Sequence, residues 1–176
     1  MKKQLVSKIK YMNFSKNFKN KFFSKETIIP LLMIFFVFIF DRITKKAIIN
    51  NQLDNKSIFI NEYLNFELVW NTGIGFGLLS QDANIYYHLI SFIIFSVIIF
   101  LIYLIIKANF VEKFLFSIIL GGAIGNLYDR LIYFAVPDFI DIHVNDFHWF
   151  TFNIADIFIT LGITLIIIKD LIFKKK

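Results

Sequence analysis

The 176-residue sequence contains no cysteine. Disulfides, thiolate metal sites and cysteine nucleophiles are excluded together. Charge is scarce: Asp, Glu, Lys and Arg make up 18% of the chain, below the roughly one quarter of an ordinary soluble domain. Histidine occurs three times, with neither a helical ligand pair nor a His-Glu-x-x-His motif, and there is no Gly-x-Ser-x-Gly nucleophile turn. Glycine occurs seven times, and six of these fall in two short segments, 71–77 and 121–125. What the chain has instead is apolar bulk: 57% hydrophobic residues, 24 of them Phe, with a mean hydropathy of +0.67. This rules out a disordered or collagen-like chain and a typical soluble domain.

The apolar residues gather into runs. A helix crossing a bilayer needs about 20 of them. Four segments qualify, at about 28–47, 85–106, 114–134 and 152–173. The expected fold is therefore an all-α membrane protein with four transmembrane helices. Residues 1–26 form a basic N-terminal extension, 27–173 the four-helix domain and 174–176 a basic tail. The first run ends in Asp41-Arg42 rather than in a small-residue cleavage site, so it reads as a retained helix and not a signal peptide.

The formal net charge is +6, unevenly spread, with eight lysines and no acid in residues 1–25. Basic residues beside apolar runs indicate membrane anchoring rather than nucleic-acid binding. Lys107, Lys113 and the lysine-rich tail continue the pattern, which puts both termini in the cytoplasm. Segments 48–84 and 135–151 are then outside, with Lys56 as their only lysine against seven acids. In the first outer loop Leu64, Phe66, Leu68 and Trp70 alternate with other residues, the period of a half-buried strand. Asn71-Thr72-Gly73 follows as a turn and Ile74 to Leu78 as a partner strand. A small extracytoplasmic β-element is thus expected at about 58–79. Asp138, Asp141 and Asp146 read as solvated acids of the second outer loop, although Asp138 is near enough in sequence to reach a site between the last two helices. His88, His143 and His148 read as interfacial polar residues rather than ligands.

Ionisable groups within membrane helices are functional suspects. In the third run Gly122, Asn126 and Asp129 share one helical face, and Arg130 can hold a carboxylate or reach the outer surface. In the fourth, Asn153 and Asp156 share a face three residues apart. The helices run in opposite directions, so Asp129 and Asp156 lie at similar depth near the outer end, each preceded by an Asn. Two close carboxylates share a proton: the ionised one activates water and the protonated one donates to a carbonyl oxygen, which is aspartic peptidase chemistry. Helix capping at Asp156 with an Asp129–Arg130 surface pair, or an ion relay, are the alternatives. Asp41 and Lys45 stand at i, i+4, the spacing of an ion pair that pins a helix end.

These segments, Asp41-Arg42-Ile43-Thr44-Lys45, Asn71 to Gly77, Gly121 to Arg130 and Phe152 to Asp156, resemble in order and spacing the signature segments of lipoprotein signal peptidase (signal peptidase II) over about residues 28–170. The resemblance implies an aspartic endopeptidase of the bacterial cytoplasmic membrane; a multi-pass monomer with its active site near the outer face is expected. It would cut the signal peptide from lipid-modified prolipoproteins just before a diacylglyceryl cysteine. By match to the motifs, Asp129 and Asp156 are the expected catalytic pair. Asn71, Gly122, Asn126, Arg130 and Asn153 are expected to bind substrate or support the pair, and Asp41 and Lys45 to form a structural ion pair. Neither metal nor cofactor is implied. The extension at 1–26 is longer than usual for the family, and Thr72, Ile74, Gly75 and Ile124 stand where many members have Ala. Trp70 and Phe76 are expected near the lipid or the substrate backbone. An ion-coupled transporter and a non-catalytic scaffold are the competing functions. A transport path needs polar groups through the whole membrane, which the second run and the inner halves of the third and fourth lack.

Overall fold

The computed structural model describes residues 24–51, 57–73 and 85–173. Among the described residues there are four long helices and two pairs of strands. Helix α1 (Lys25–Asn51) is followed by β1 (Ile58–Asn61) and β2 (Leu64–Asn71), then by α2 (Ile85–Lys107) and α3 (Phe110–Tyr133). Strands β3 (Val136–Val144) and β4 (Phe147–Phe152) lead into α4 (Ile154–Phe173). Among the described residues, three helical stretches are long and apolar enough to cross a membrane: Lys25–Asn51, Tyr87–Lys107 and Phe110–Tyr133. The 20 residues of α4 include Asp156, Lys169 and Asp170.

Large apolar side chains face outward along these helices, among them Leu32, Phe35, Phe92 and Ile106. In water such surfaces would drive association, whereas in lipid they are the solvent-facing side. Burial on α1 is confined to one stripe: Val37, Asp41, Lys45 and Ile48 recur every three or four residues. That stripe packs on α3, which is the central helix and touches α1, α2 and α4. Backbones come close there: a Cβ on Gly121 would sit 2.8 Å from the Val37 Cβ and 2.9 Å from the Ile34 carbonyl oxygen, so glycine permits the α1–α3 contact. Ile98 and Leu101 of α2 meet Ile119, Leu120 and Ala123 of α3 in the main apolar cluster.

Helix α3 opens with a reciprocal cap. The Asn109 side chain accepts from the Glu112 amide at 3.1 Å, and the Glu112 carboxylate accepts from the Asn109 amide at 3.4 Å. At its other end Phe134 adopts a left-handed conformation (φ 54°) that turns the chain straight into β3. Lys169 near the end of α4 pairs with Glu112 at 2.5 Å, so α3 and α4 run in opposite directions.

The sheet is larger than expected. Among the described residues it has four antiparallel strands in the order β1-β2-β3-β4, and its second half comes from residues 136–152 rather than from the first loop alone. The strand at Leu64–Asn71 lies where the alternation put it, but its described partners are β1 and β3. The partner expected at Ile74–Leu78 lies outside the described residues. Segment 135–151 is not a solvated loop: Val136 to Asp141 are all buried, because β3 is an interior strand that also contacts α1 and α3. Asp138 and Asp141 are each 2% exposed, so reading them as solvated acids is corrected. Ile48 of α1 packs with Phe139 and Ile140 of β3, which seats the sheet on the C-terminal end of α1.

Candidate active site

A cavity of about 390 Å³ opens where the helices meet the sheet. One wall is apolar, made by Ile94, Val97 and Leu101 of α2, Ile119 and Ala123 of α3, and Ile159 and Ile163 of α4. The other wall holds six polar residues: Asn71, Asn126, Arg130, Asp138, Asn153 and Asp156. Four elements supply them, β2, α3, β3 and α4, with Asn153 at the junction of β4 and α4.

Asp156 is positioned by its helix start. Asn153 caps α4: its Oδ1 accepts from the Asp156 amide at 3.1 Å, and the Asp156 Oδ2 accepts from the Asn153 amide at 3.2 Å. The other oxygen, Oδ1, accepts from the Asn126 Nδ2 at 2.8 Å. Asp138 is held by two amides, the Asn71 Nδ2 at 2.8 Å and the Asn153 Nδ2 at 2.6 Å. Asn153 therefore touches both acids. Burial, and secondly the Asp156 carboxylate, push the Asp138 carboxyl up to about 7, against the opposing pull of its two amide hydrogen bonds. Arg130 is buried and donates to the Gly73 carbonyl, and its own carbonyl accepts from the Tyr87 hydroxyl at 2.6 Å.

Asp129 lies elsewhere. It is fully buried, but its carboxylate is engaged by Lys45 at 2.8 Å and by Arg42, and it does not line the cavity. Lys45, also fully buried, reaches Asp41 at 2.9 Å and the Asn126 Oδ1 at 2.8 Å. Asp41 in turn accepts from the Ala155 amide at 3.1 Å in the first turn of α4. Two acids, Asp41 and Asp129, thus balance two cations, Arg42 and Lys45, in a closed cluster behind the cavity wall. The Arg42 guanidinium also stacks over the Tyr128 ring, 4.9 Å from its centroid.

The structure brings together most of the sequence-selected residues. Asn71, Asn126, Arg130, Asn153 and Asp156 share the cavity. Gly122 stands against its wall, where a Cβ would come within 2.6 Å of the Ala155 carbonyl oxygen. The expected Asp41–Lys45 pair is present, but it extends to Asp129. Asp129 does not line the cavity beside Asp156: α3 turns it toward the basic residues of α1, and the other acid that lines the cavity is Asp138. Sequence reasoning allowed Asp138 to reach the site but read it as a solvated acid, because it treated 135–151 as loop. The signal was the run from Val136 to Val144, in which acids interrupt a nearly unbroken series of strand-forming residues. Arg42 was also missed as a partner of Asp129. Trp70 is 43% exposed and rests against Tyr133; Phe76 lies outside the described residues.

The family model described as signal peptidase (SPase) II matches residues 33–172. The chain belongs to the signal peptidase II family. Similar relatives include the lipoprotein signal peptidase of Pelagibacter ubique (strain HTCC1062), 45% identical over 159 residues, covering 89% of this chain and 96% of that protein. The lipoprotein signal peptidase of Francisella tularensis subsp. novicida (strain U112) is 45% identical over 126 residues, 69% of this chain and 78% of that one. A bacterial membrane enzyme solved by the in meso method at 2.3 Å resolution superposes with a TM-score of 0.69 at 35% identity, covering 84% of this chain and 91% of that one. Membership in the signal peptidase II family makes the chain a protease of the bacterial membrane that removes signal peptides from prolipoproteins.

Proposed function

We propose that this signal peptidase is an aspartic endopeptidase whose working acids are Asp138 and Asp156. The observation that carries the reading is that these two carboxylates, and no others among the described residues, line the cavity. Charge balance supports it. The Asp41–Arg42–Lys45–Asp129 cluster is neutral by itself, which leaves Arg130 as the cation of the cavity. One positive charge suits a pair that carries one negative charge, that is, two carboxyls sharing a proton. The high value of Asp138 agrees with a proton retained near neutrality. The ionised member takes a proton from water as the oxygen attacks the scissile carbonyl carbon. The protonated member donates to the carbonyl oxygen. The proton then moves to the leaving amine as the C–N bond breaks, and the pair returns to its starting charge.

Supporting roles follow from contact. Asn71 and Asn153 hold Asp138, Asn126 and Asn153 hold Asp156, and Arg130 ties the Gly73 backbone to the cavity. Asp129, Asp41, Arg42 and Lys45 are positioning residues: Lys45 accepts no substrate but turns the Asn126 amide so that its NH₂ faces Asp156.

In this reading α4 is a fourth membrane span. Its far end is fixed beside the start of α3 by the Lys169–Glu112 pair, so it traverses the same depth as α3. Residues 27–173 act as one unit and as a monomer, since a single chain supplies both acids and their supports. Residues 1–26 are a basic extension and 174–176 a tail. The lysine distribution puts both termini in the cytoplasm and the sheet, with the acid pair, at the outer face. The apolar wall of α2 and α4 suits a diacylglyceryl chain, and the scissile bond is the one just before the lipidated cysteine.

The test is cleavage of a diacylglyceryl-modified prolipoprotein by the purified chain in detergent, with the product mass locating the cut. The wild type is expected to cut before the lipidated cysteine, and a folded Asp156→Asn variant not to cut. A folded but inert wild type that passes ions in proteoliposomes would overturn the reading in favour of transport.

A further inference from the structure

The β3–β4 hairpin carries a second group of coordinating side chains, which the acid pair does not use. Asp141 and His143 are two apart on β3, and His148 is the cross-strand partner of His143 on β4. The His148 Nδ1 lies 2.8 Å from the Asp141 Oδ2, and the His143 Nδ1 lies 3.6 Å from the same oxygen. The two imidazoles are nearly parallel, with centroids 5.1 Å apart. Ligand atoms of all three residues fall within 4.8 Å of one another.

Two polar atoms here are unsatisfied. His143 is 9% exposed, and its buried Nδ1 has no hydrogen-bond partner among the described residues. Asn65 of β2 stands directly opposite Asp141, hence on the same face of the sheet, and its buried Oδ1 likewise has no partner among the described residues. Buried nitrogen and oxygen lone pairs without donors are costly unless something positive occupies the space between them.

We infer that Asp141, His143 and His148 form a binding site for a first-row divalent cation of the zinc type. Two imidazoles and one carboxylate are a zinc ligand set, and they are too nitrogen-rich for magnesium or calcium. Zinc bonds of about 2.0–2.2 Å set tetrahedral ligand atoms roughly 3.3–3.5 Å apart. The His143–Asp141 separation of 3.6 Å is already close to that. The His148–Asp141 contact must open by about 0.6 Å, which a half-exposed side chain next to a hairpin turn accommodates. The metal replaces the proton shared by the His148 Nδ1 and Asp141, and that proton leaves to solvent. Water or the Asn65 Oδ1 completes the coordination. The site clips β3 to β4. It stands outside the cavity and does not depend on which acids perform the cleavage.

The experiment uses the full chain, purified in detergent without a polyhistidine tag and stripped with chelator. Co²⁺ is titrated and its visible d–d absorption followed, then Zn²⁺ is added as competitor. The expected result is saturation at one cobalt per chain with four-coordinate bands that zinc abolishes, together with a zinc-induced rise in Tm. His148→Ala should weaken binding about tenfold or more and abolish the zinc-induced Tm rise, measured against the variant's own metal-free Tm, which falls somewhat because the buried Asp141 loses its 2.8 Å partner. His143→Ala should also remove the cobalt spectrum, and if that variant does not fold, His148→Ala decides. No saturable cobalt spectrum, or one of equal strength in wild type and His148→Ala, would overturn the inference.

Discussion

Replacing Asp138 by Asn, beside the same change at Asp129, separates two buried aspartates that differ in what surrounds them. The Asp138 carboxyl is pushed to about 7 from a reference of 3.8, a difference of roughly 4 kcal/mol between its protonation states. The folded chain keeps this proton to higher pH than the unfolded chain does. Between about pH 4 and pH 7 the unfolded state therefore binds fewer protons, and stability falls as pH rises. With these two values the group costs the wild type roughly 2–3 kcal/mol between pH 5 and pH 8. Asn cannot ionise, so this part of the pH dependence should vanish in Asp138→Asn. The variant also loses one acceptor oxygen, leaving one of the Asn71 and Asn153 amides short, at about 1–3 kcal/mol. Whatever that offset, the stability gap should move by roughly 2–3 kcal/mol in the variant's favour from pH 5 to pH 8. Cleavage should fall by at least about 100-fold. Asp129→Asn should behave differently. It leaves Arg42 and Lys45 with Asp41 alone, and breaking such a buried cluster costs about 3–5 kcal/mol, with cleavage by the folded fraction reduced far less than in Asp138→Asn. Thermal unfolding by intrinsic Trp and Tyr fluorescence suits a chain with no thiol to label, and would be read at both pH values beside the prolipoprotein cleavage assay. If Asp129→Asn kept the wild-type Tm and lost all cleavage while Asp138→Asn cut normally, the assignment would be refuted.

Two further changes probe the frame. Lys45→Met leaves two buried carboxylates facing Arg42 only, and should cost about 3–5 kcal/mol, seen as a Tm loss of roughly 6–20 °C; an unchanged Tm would mean the lysine is not the hub of that cluster. Gly122→Ala drives a methyl to within 2.6 Å of the Ala155 carbonyl oxygen, so overpacking should cost about 1–3 kcal/mol and shift the start of α4. A variant with wild-type Tm and wild-type cleavage would show that α3 and α4 do not cross so tightly.

Long runs were easy to read because every residue in them votes the same way: α2 spans Ile85–Lys107 against an expected 85–106. The caps at Asn153 and Asp156 were legible because capping is local. The rotation of α3 was not. Asp129 and Asn126 share a helical face within the 3.6-residue period, yet Asn126 reaches the cavity and Asp129 the basic side of α1. Which neighbour takes which side chain depends on partners 84 residues away, as with Lys45 and Asp129. The sheet was half legible for a similar reason. Alternation marks a strand with one wet face, and β2 has one. Strand β3 is enclosed on both sides, so its acids are buried among apolar neighbours and the period disappears.

Asp138 and Asp156 belong to one continuous stretch of backbone. Strand β3 pairs with β4, Ile140 lies opposite Phe152, and β4 passes into α4 through the single residue Asn153, whose side chain bonds to both acids. The far wall is built differently: α2 packs chiefly on α3 and shares no ladder with the hairpin. The spacing between the two carboxyls is thus a property of a hairpin and a helix cap, and the width of the cavity is a property of how α2 leans on α3. Displacing α2 sideways changes what the cavity can admit from the surrounding lipid and leaves the distance between the acids as it was.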